Sequence, residues 1–319
     1  MKVYRWDLDK TYLDTDFESL RGIVRTATEP AHAKRALPGA AALLRALGDK
    51  PETRITVVSG SPTQMRSVLT EKLRLDGIRF DELVLKDNLG NVRRGRFRAV
   101  RGQLGYKLPA LLRARVKTDV AAREVLFGDD VEADALVYSL YADAVSGRIG
   151  AAEVSRVMEK GGAYPDEIDD ALMSLVKIER ADAVERIFIR AERGVPATRM
   201  AALGPRVVPV RSWWQASVIL MQMQHLGKPA VEQVMRRVID GEGGDLWVLG
   251  ALAQDLLRRG WVEPGMVLEI EGPSGAQETL ARAVQALGGR TFLPPDEVVN
   301  IDYMNLLESG AWNKHGRAE

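Results

Sequence analysis

Short apolar runs alternate with longer amphipathic stretches along most of the chain. The runs fall at Val3 to Trp6, Arg54 to Val58, Glu82 to Leu85, Glu124 to Phe127, Arg186 to Ile189 and Val207 to Val210. They are brief and rich in β-branched and aromatic residues, which reads as buried strands. The stretches between them carry the spacing of helices. One opens at Leu37-Pro-Gly, covers Ala40 to Leu47 and is closed by Gly48. Another is expected to start at Ser61, a good cap, with Pro62 in the first helical position. Such alternation predicts an α/β fold: a mostly parallel sheet with helices on both faces.

Two regions break the rhythm. Tyr141 to Ala183 shows only helical patterning and reads as a helical insertion. From Pro229 onward the pattern is again mostly helical, with one expected strand at Met266 to Ile270. The expected division is therefore residues 1–228, with the insertion at about 141–183, and a C-terminal unit of residues 229–319. Glu271-Gly-Pro-Ser-Gly-Ala looks superficially like a phosphate-binding loop but lacks the following Lys-Ser/Thr. A tight turn between that strand and a helix is the better reading. Trp213-Trp214 opens an apolar helix that belongs to the core.

Composition adds mainly exclusions. Apolar residues make up 46% and charged residues 28%, an ordinary soluble balance, and the net charge is +1. No global field draws the chain to nucleic acid or membrane. There is no cysteine, so disulfides and thiolate chemistry are excluded. His32, His225 and His315 lie far apart, which argues against a histidine-rich zinc site. Carboxylates in MKVYRWDLDKT arrive too early for a signal peptide. Trp213 to Met223, interrupted by Gln215, is too short to span a bilayer. A cytoplasmic location is expected.

Four motifs carry candidate chemistry, and all fall at strand ends or helix starts, where doubly wound folds bind ligands. Asp7-Leu-Asp9-Lys-Thr11 places two carboxylates two positions apart straight after a strand. One can attack phosphorus while the other handles a proton, or both can converge on a cation. Ser59-Gly60-Ser61-Pro62 offers a hydroxyl and backbone N–H groups to a phosphate. Lys107 precedes the fourth strand and would supply a point charge, with Lys86 and Lys117 as rivals. Asp129, Asp130 and Asp134 follow that strand and would complete an oxygen-only magnesium site.

Nucleophile, hydroxyl, lysine and acids, in that order, resemble the haloacid dehalogenase superfamily of phosphohydrolases, with its Rossmannoid sheet. The stretches Asp7-Leu-Asp-Lys-Thr-Tyr-Leu, Ser59-Gly-Ser-Pro and Gly128-Asp-Asp-Val-Glu-Ala-Asp-Ala-Leu-Val-Tyr138 are similar to the phosphatidate phosphatase catalytic-domain family of fungal actin-patch proteins and many bacteria. Arg186-Ile-Phe-Ile-Arg190 resembles a further strand of that family, so the likeness runs over about residues 1 to 226.

The resemblance implies a phosphomonoester hydrolase that needs Mg²⁺. Asp7 would be the nucleophile that forms an aspartyl-phosphate, and Asp9 the general acid and then base. Thr11 would support the turn, and Ser59, Gly60 and Lys107 would bind the phosphoryl oxygens. Asp7, Asp9 (through its carbonyl), Asp129 and Asp134 would hold the metal, and Asp130 has no assigned role. Substrates implied are phosphatidate or another bulky anionic phosphate. The rival class is a catalytically silent domain that binds partners.

The gaps between motifs leave little room for a large cap, so an open cleft, or one roofed only by the helical insertion, is expected. Arg93, Arg94, Arg96, Arg98 and Arg101 lead up to Lys107 and would suit a polyanionic target.

Overall fold

The computed structural model describes residues 1–15, 29–87, 102–131, 133–191, 200–290, 292–293, 296 and 300–309. Among these residues, six strands form one parallel sheet: β1 (Lys2–Trp6), β2 (Thr53–Pro62), β3 (Glu82–Lys86), β4 (Arg123–Asp129), β5 (Val184–Arg190) and β6 (Val207–Val210). Their order is β3-β2-β1-β4-β5-β6. The order reverses between β1 and β4, so the crevice for a ligand opens at the carboxyl ends of those two strands. The register sets Trp6 beside both Val57 and Phe127, which brings the residues following β1 and β4 together.

The strands alternate strictly between two helical layers. Tyr4, Trp6, Val125 and Phe127 join one core, with α1 (Ala40–Gly48), α2 (Arg66–Leu75) and α7 (Trp213–Gln222). Leu126, Ile187 and Ile189 join the other, with α3 (Leu104–Val116), α4 (Asp134–Ser146), α5 (Ala151–Lys160) and α6 (Pro165–Leu175). Helices thus cover both faces, as the strand–helix alternation predicts.

The helical stretch between β4 and β5 is α4, α5 and α6. α4 runs unbroken through Tyr141 to Ser146 and flanks the sheet itself. α6 leans on the first turn of α3: a Cβ on Gly105 would come 2.9 Å from the Glu167 Cδ carbon.

C-terminal to the sheet come α8 (Lys228–Gly241), α9 (Leu246–Arg258), α10 (Pro264–Leu268) and α11 (Ala276–Gln285). Val231, Val234, Leu256 and Leu280 continue the same core as Tyr4 and Trp6. The helix α12 (Tyr303–Glu308) crosses to the opposite face, where Tyr303 donates to buried Asp143 at 2.6 Å.

Two expectations are corrected. Met266 to Ile270 is not a strand. Pro264 opens a short helix, and Val267 and Ile270, three apart, are fully buried while Leu268 is 44% exposed. An alternating strand would have buried Leu268 with Ile270. Glu271-Gly-Pro-Ser-Gly-Ala accordingly joins two helices. Ser61 and Pro62 do not start a helix either, because β2 continues to Pro62, paired with Lys86. A 3₁₀ turn, Thr63–Met65, then leads into α2 at Arg66.

Candidate active site

Asp7 is the first residue beyond β1, and its N–H continues the ladder by donating to the Phe127 carbonyl at 2.9 Å. Strand alternation turns it to the face of Arg5, toward α3 and α4. Lys107, on the second turn of α3, reaches Asp7 Oδ1 at 2.8 Å and also pairs with Asp134 Oδ1. Asp129 ends β4, and Asp134 opens α4. Asp7, Asp129 and Asp134 each present an oxygen within 4.8 Å of the others, and all three are buried.

Gly128 makes this approach geometrically feasible. A Cβ there would lie 2.5 Å from Asp134 Oδ2 and 2.8 Å from the Tyr138 ring. Tyr138 stays a neutral phenol, because burial first and the Asp134 charge second push it well above its ordinary range.

The motif loop is fixed from several sides. Thr11 donates to Asp129 Oδ2 at 3.3 Å, and the Val131 N–H donates to Asp129 Oδ1 at 2.6 Å. Lys10 adopts φ 59°, a left-handed conformation uncommon for a residue with a side chain, and its N–H donates to Leu13 at 3.0 Å. Arg190, at the end of β5, donates to the Lys10 carbonyl at 3.4 Å. Trp213 Nε1 donates to the Thr11 carbonyl at 2.9 Å.

Asp9 is held separately. Its Oδ2 accepts hydroxyl hydrogen bonds from Ser59 at 3.1 Å and Ser61 at 2.8 Å, while the Ser61 N–H donates to Ser59 Oγ at 3.0 Å. Gly60 lies between them, opposite the Gln103 side chain. Asp130 gives its N–H to the Arg190 carbonyl at 3.1 Å, extending the β4–β5 ladder.

The structure thus brings Asp7, Asp9, Thr11, Ser59, Gly60, Lys107, Asp129, Asp130 and Asp134 to one edge of the sheet. The rival lysines stand elsewhere. Lys86 donates to the Gly102 carbonyl at 2.5 Å and lies over the Tyr106 ring, and Lys117 pairs with Glu82 on the surface. In the cleft, expected to be open or roofed only by the helical insertion, the side chains lie deep: Asp7, Lys107, Asp129, Asp134 and Ser59 are fully buried, and Asp9 is only 6% exposed. The five arginines expected near Lys107 lie outside the described residues.

Four contributors carry little site signal of their own in the sequence. Ser61 suits a helix cap within the phosphate-binding motif. Trp213 suits the core. Gly128 and the carbonyl-directed Arg190 had no role. Lys34 is also buried near this loop; burial lowers its ammonium pKa, while the charges of Glu29 and Asp9 work the other way. The SxSP spacing was the one available signal for Ser61.

An independent comparison bears on this cluster. Residues 6–154 match the family of the phosphatidate phosphatase APP1 catalytic domain. The matched stretch begins one residue before Asp7 and ends within α5, so it holds Asp7, Asp9, Ser59, Lys107, Asp129 and Asp134. It is shorter than the likeness over about residues 1 to 226 read from the motifs, and β5, β6 and the C-terminal helices lie beyond it. The family is one of phosphatases, and the buried acidic triad fits a metal ion. No curated protein and no solved structure matches the chain. Among the described residues, no helix is long and apolar enough to cross a membrane.

Proposed function

We propose that the protein is a Mg²⁺-dependent phosphomonoester hydrolase working through an aspartyl-phosphate on Asp7. The observation that carries the reading is the pairing of Lys107 with Asp7 and Asp134 inside the matched region, with Asp129 alongside.

The metal requirement follows from charge. Asp7, Asp129 and Asp134 gather three buried carboxylate oxygens within 4.8 Å of one another, and a bound cation offsets the cost of crowding like charges in the interior. Oxygen-only ligands, with no cysteine or clustered histidine, favour a hard cation. Asp7, Asp129 and Asp134 would hold it, with the Asp9 carbonyl completing the set. Bound there, Mg²⁺ would neutralise the phosphoryl charge and orient the ester.

The residues of the chain then divide the work. A carboxylate oxygen of Asp7 attacks phosphorus in line, and the P–O ester bond breaks. Asp9 gives its proton to the departing alkoxide. Water next attacks the aspartyl-phosphate, Asp9 takes the proton back, and inorganic phosphate leaves Asp7 free. Lys107, Ser59 and the Gly60 N–H stabilise the equatorial oxygens. Thr11 braces the loop through Asp129.

Phosphatidate, or another bulky anionic phosphate, is the substrate class supported by the matched family. The deciding assay is hydrolysis of an aryl phosphate with and without Mg²⁺, on the wild type and on Asp7→Asn. Turnover that needs Mg²⁺ and vanishes in the folded variant is expected. Full activity in excess chelator, or in Asp7→Asn, would remove Asp7 and the metal from the reaction.

A further inference from the structure

Ser59 and Ser61 crowd one oxygen of one carboxylate. Both hydroxyls donate to Asp9 Oδ2, and the Ser61 N–H occupies a lone pair of Ser59 Oγ. Ser59 has a second task in the proposed reaction, since its hydroxyl is to meet the phosphoryl group. A hydroxyl has one proton and cannot donate to both at once. When a substrate draws the Ser59 proton away, the shorter bond from Ser61 remains to hold Asp9.

We propose that Ser61 is a positioning residue: its hydroxyl keeps Asp9 in the orientation that delivers a proton to the leaving oxygen once Ser59 has turned to the phosphate. This rests on the reading of Asp9 as the proton donor. Ser61 is suited to the part. It is 4% exposed, so its hydroxyl bond is not contested by bulk water. It belongs to the extended end of β2, in the irregular step of the ladder between Ser59, paired with Leu85, and Pro62, paired with Lys86.

The consequence is a dependence on the leaving group. An alkoxide departs only with a proton, whereas a nitrophenolate departs without one. A loosened Asp9 therefore harms alkyl esters selectively. The measure is kcat/KM, which covers steps up to leaving-group departure and leaves out the later attack of water.

The test compares wild type, Ser61→Ala, Ser61→Thr and Asp9→Asn on a simple alkyl phosphate and on para-nitrophenyl phosphate, with folding checked by thermal melting. For Ser61→Ala, kcat/KM on the alkyl ester should fall about 10-fold or more, within the reach of general acid catalysis, and less than about 3-fold on the aryl ester. Ser61→Thr, which keeps a hydroxyl, should recover most of the loss. An equal fall on both esters, or none on either, overturns the assignment. If Ser61→Ala does not fold, Ser61→Cys, nearly isosteric and a weak donor, reads the same contrast. Asp9→Asn separates the two claims: if it spares the alkyl ester, the role of Asp9 itself is wrong, and if it abolishes turnover while Ser61→Ala changes nothing, only the role of Ser61 is.

Discussion

The two faces of β1 are built from opposite materials. On one, Tyr4 and Trp6 are fully buried among aromatic rings: Trp6 stacks on Phe127 with centroids 4.1 Å apart, and Trp213 lies 5.2 Å from it. On the other, Arg5 and Asp7 are equally buried but ionic. Arg5 pairs with Glu124 at 2.7 Å, Glu124 also meets Arg115 and the Tyr141 hydroxyl, and Asp7 meets Lys107. Four successive residues, Tyr4 to Asp7, therefore carry both a dispersion-rich apolar layer and a chain of buried charges. The contrast teaches that stability and chemistry are drawn from different sides of the same strand. The faces still touch at one point, where Trp213 anchors the Thr11 carbonyl.

The strongest way to break the comparison is to cut the aromatic face. Trp6→Ala should cost about 3–5 kcal/mol in denaturant unfolding, from lost burial and the cavity left behind. A loss below about 1 kcal/mol would show that this layer is not what holds the sheet.

Next comes the ionic face at its tightest point. Gly128→Ala puts a methyl where the Asp134 carboxylate sits, so Asp134 must shift. Phosphatase turnover should drop about 100-fold, as expected for misplacement on the ångström scale, with a modest change in melting. Unchanged turnover would mean that the position of Asp134 does not matter to the reaction.

Smaller still is Glu124→Gln, which keeps the shape but leaves Arg5 and Arg115 facing a neutral amide. A loss of about 2 kcal/mol is expected, typical of hydrogen bonds to charged groups.

The smallest effect is in its pH dependence. Burial acts to raise the Glu124 pKa, but the charges and hydrogen bonds of Arg5, Tyr141 and Arg115 win, so it stays below the ordinary value of 4.5. A lowered folded-state pKa gives stability that is present above 4.5 and is lost as pH falls through the folded-state value. The wild type should lose stability over that acid range, and Glu124→Gln should lose less. Parallel pH profiles would uncouple Glu124 from acid unfolding.

Much of this was legible beforehand because strands and catalytic motifs are local signals. Six apolar runs sufficed for six strands, since parallel strands buried on both faces need continuous apolar sequence. Asp7, Asp129 and Lys107 could be ranked because each adjoins such a strand or the helix before one. What failed was local ambiguity settled by distant contacts. Val267 and Ile270 suit a strand or a helix until their burial is known. Ser61 suits a cap until Asp9, 52 positions away, takes its hydroxyl. The depth of the site was hidden too, because burial is set by segments packing from elsewhere in the chain.

The crowding of the Asp7, Asp129 and Asp134 carboxylates has a consequence for folding as well as for turnover. In the unfolded chain these groups are far apart and hydrated, and have no shared affinity for a cation. Only the native state gathers them, so a divalent ion there is a ligand of the fold, and its binding raises stability by RT ln(1 + [L]/Kd). The melting temperature should therefore climb with Mg²⁺ in the absence of any phosphate ester and fall when the ion is stripped. Asp7→Asn, which removes one of the repelling charges, should melt higher than the wild type in chelator and respond less to the ion. The same crowded carboxylates that would make the protein an enzyme would also make its folded population a gauge of the divalent cation around it.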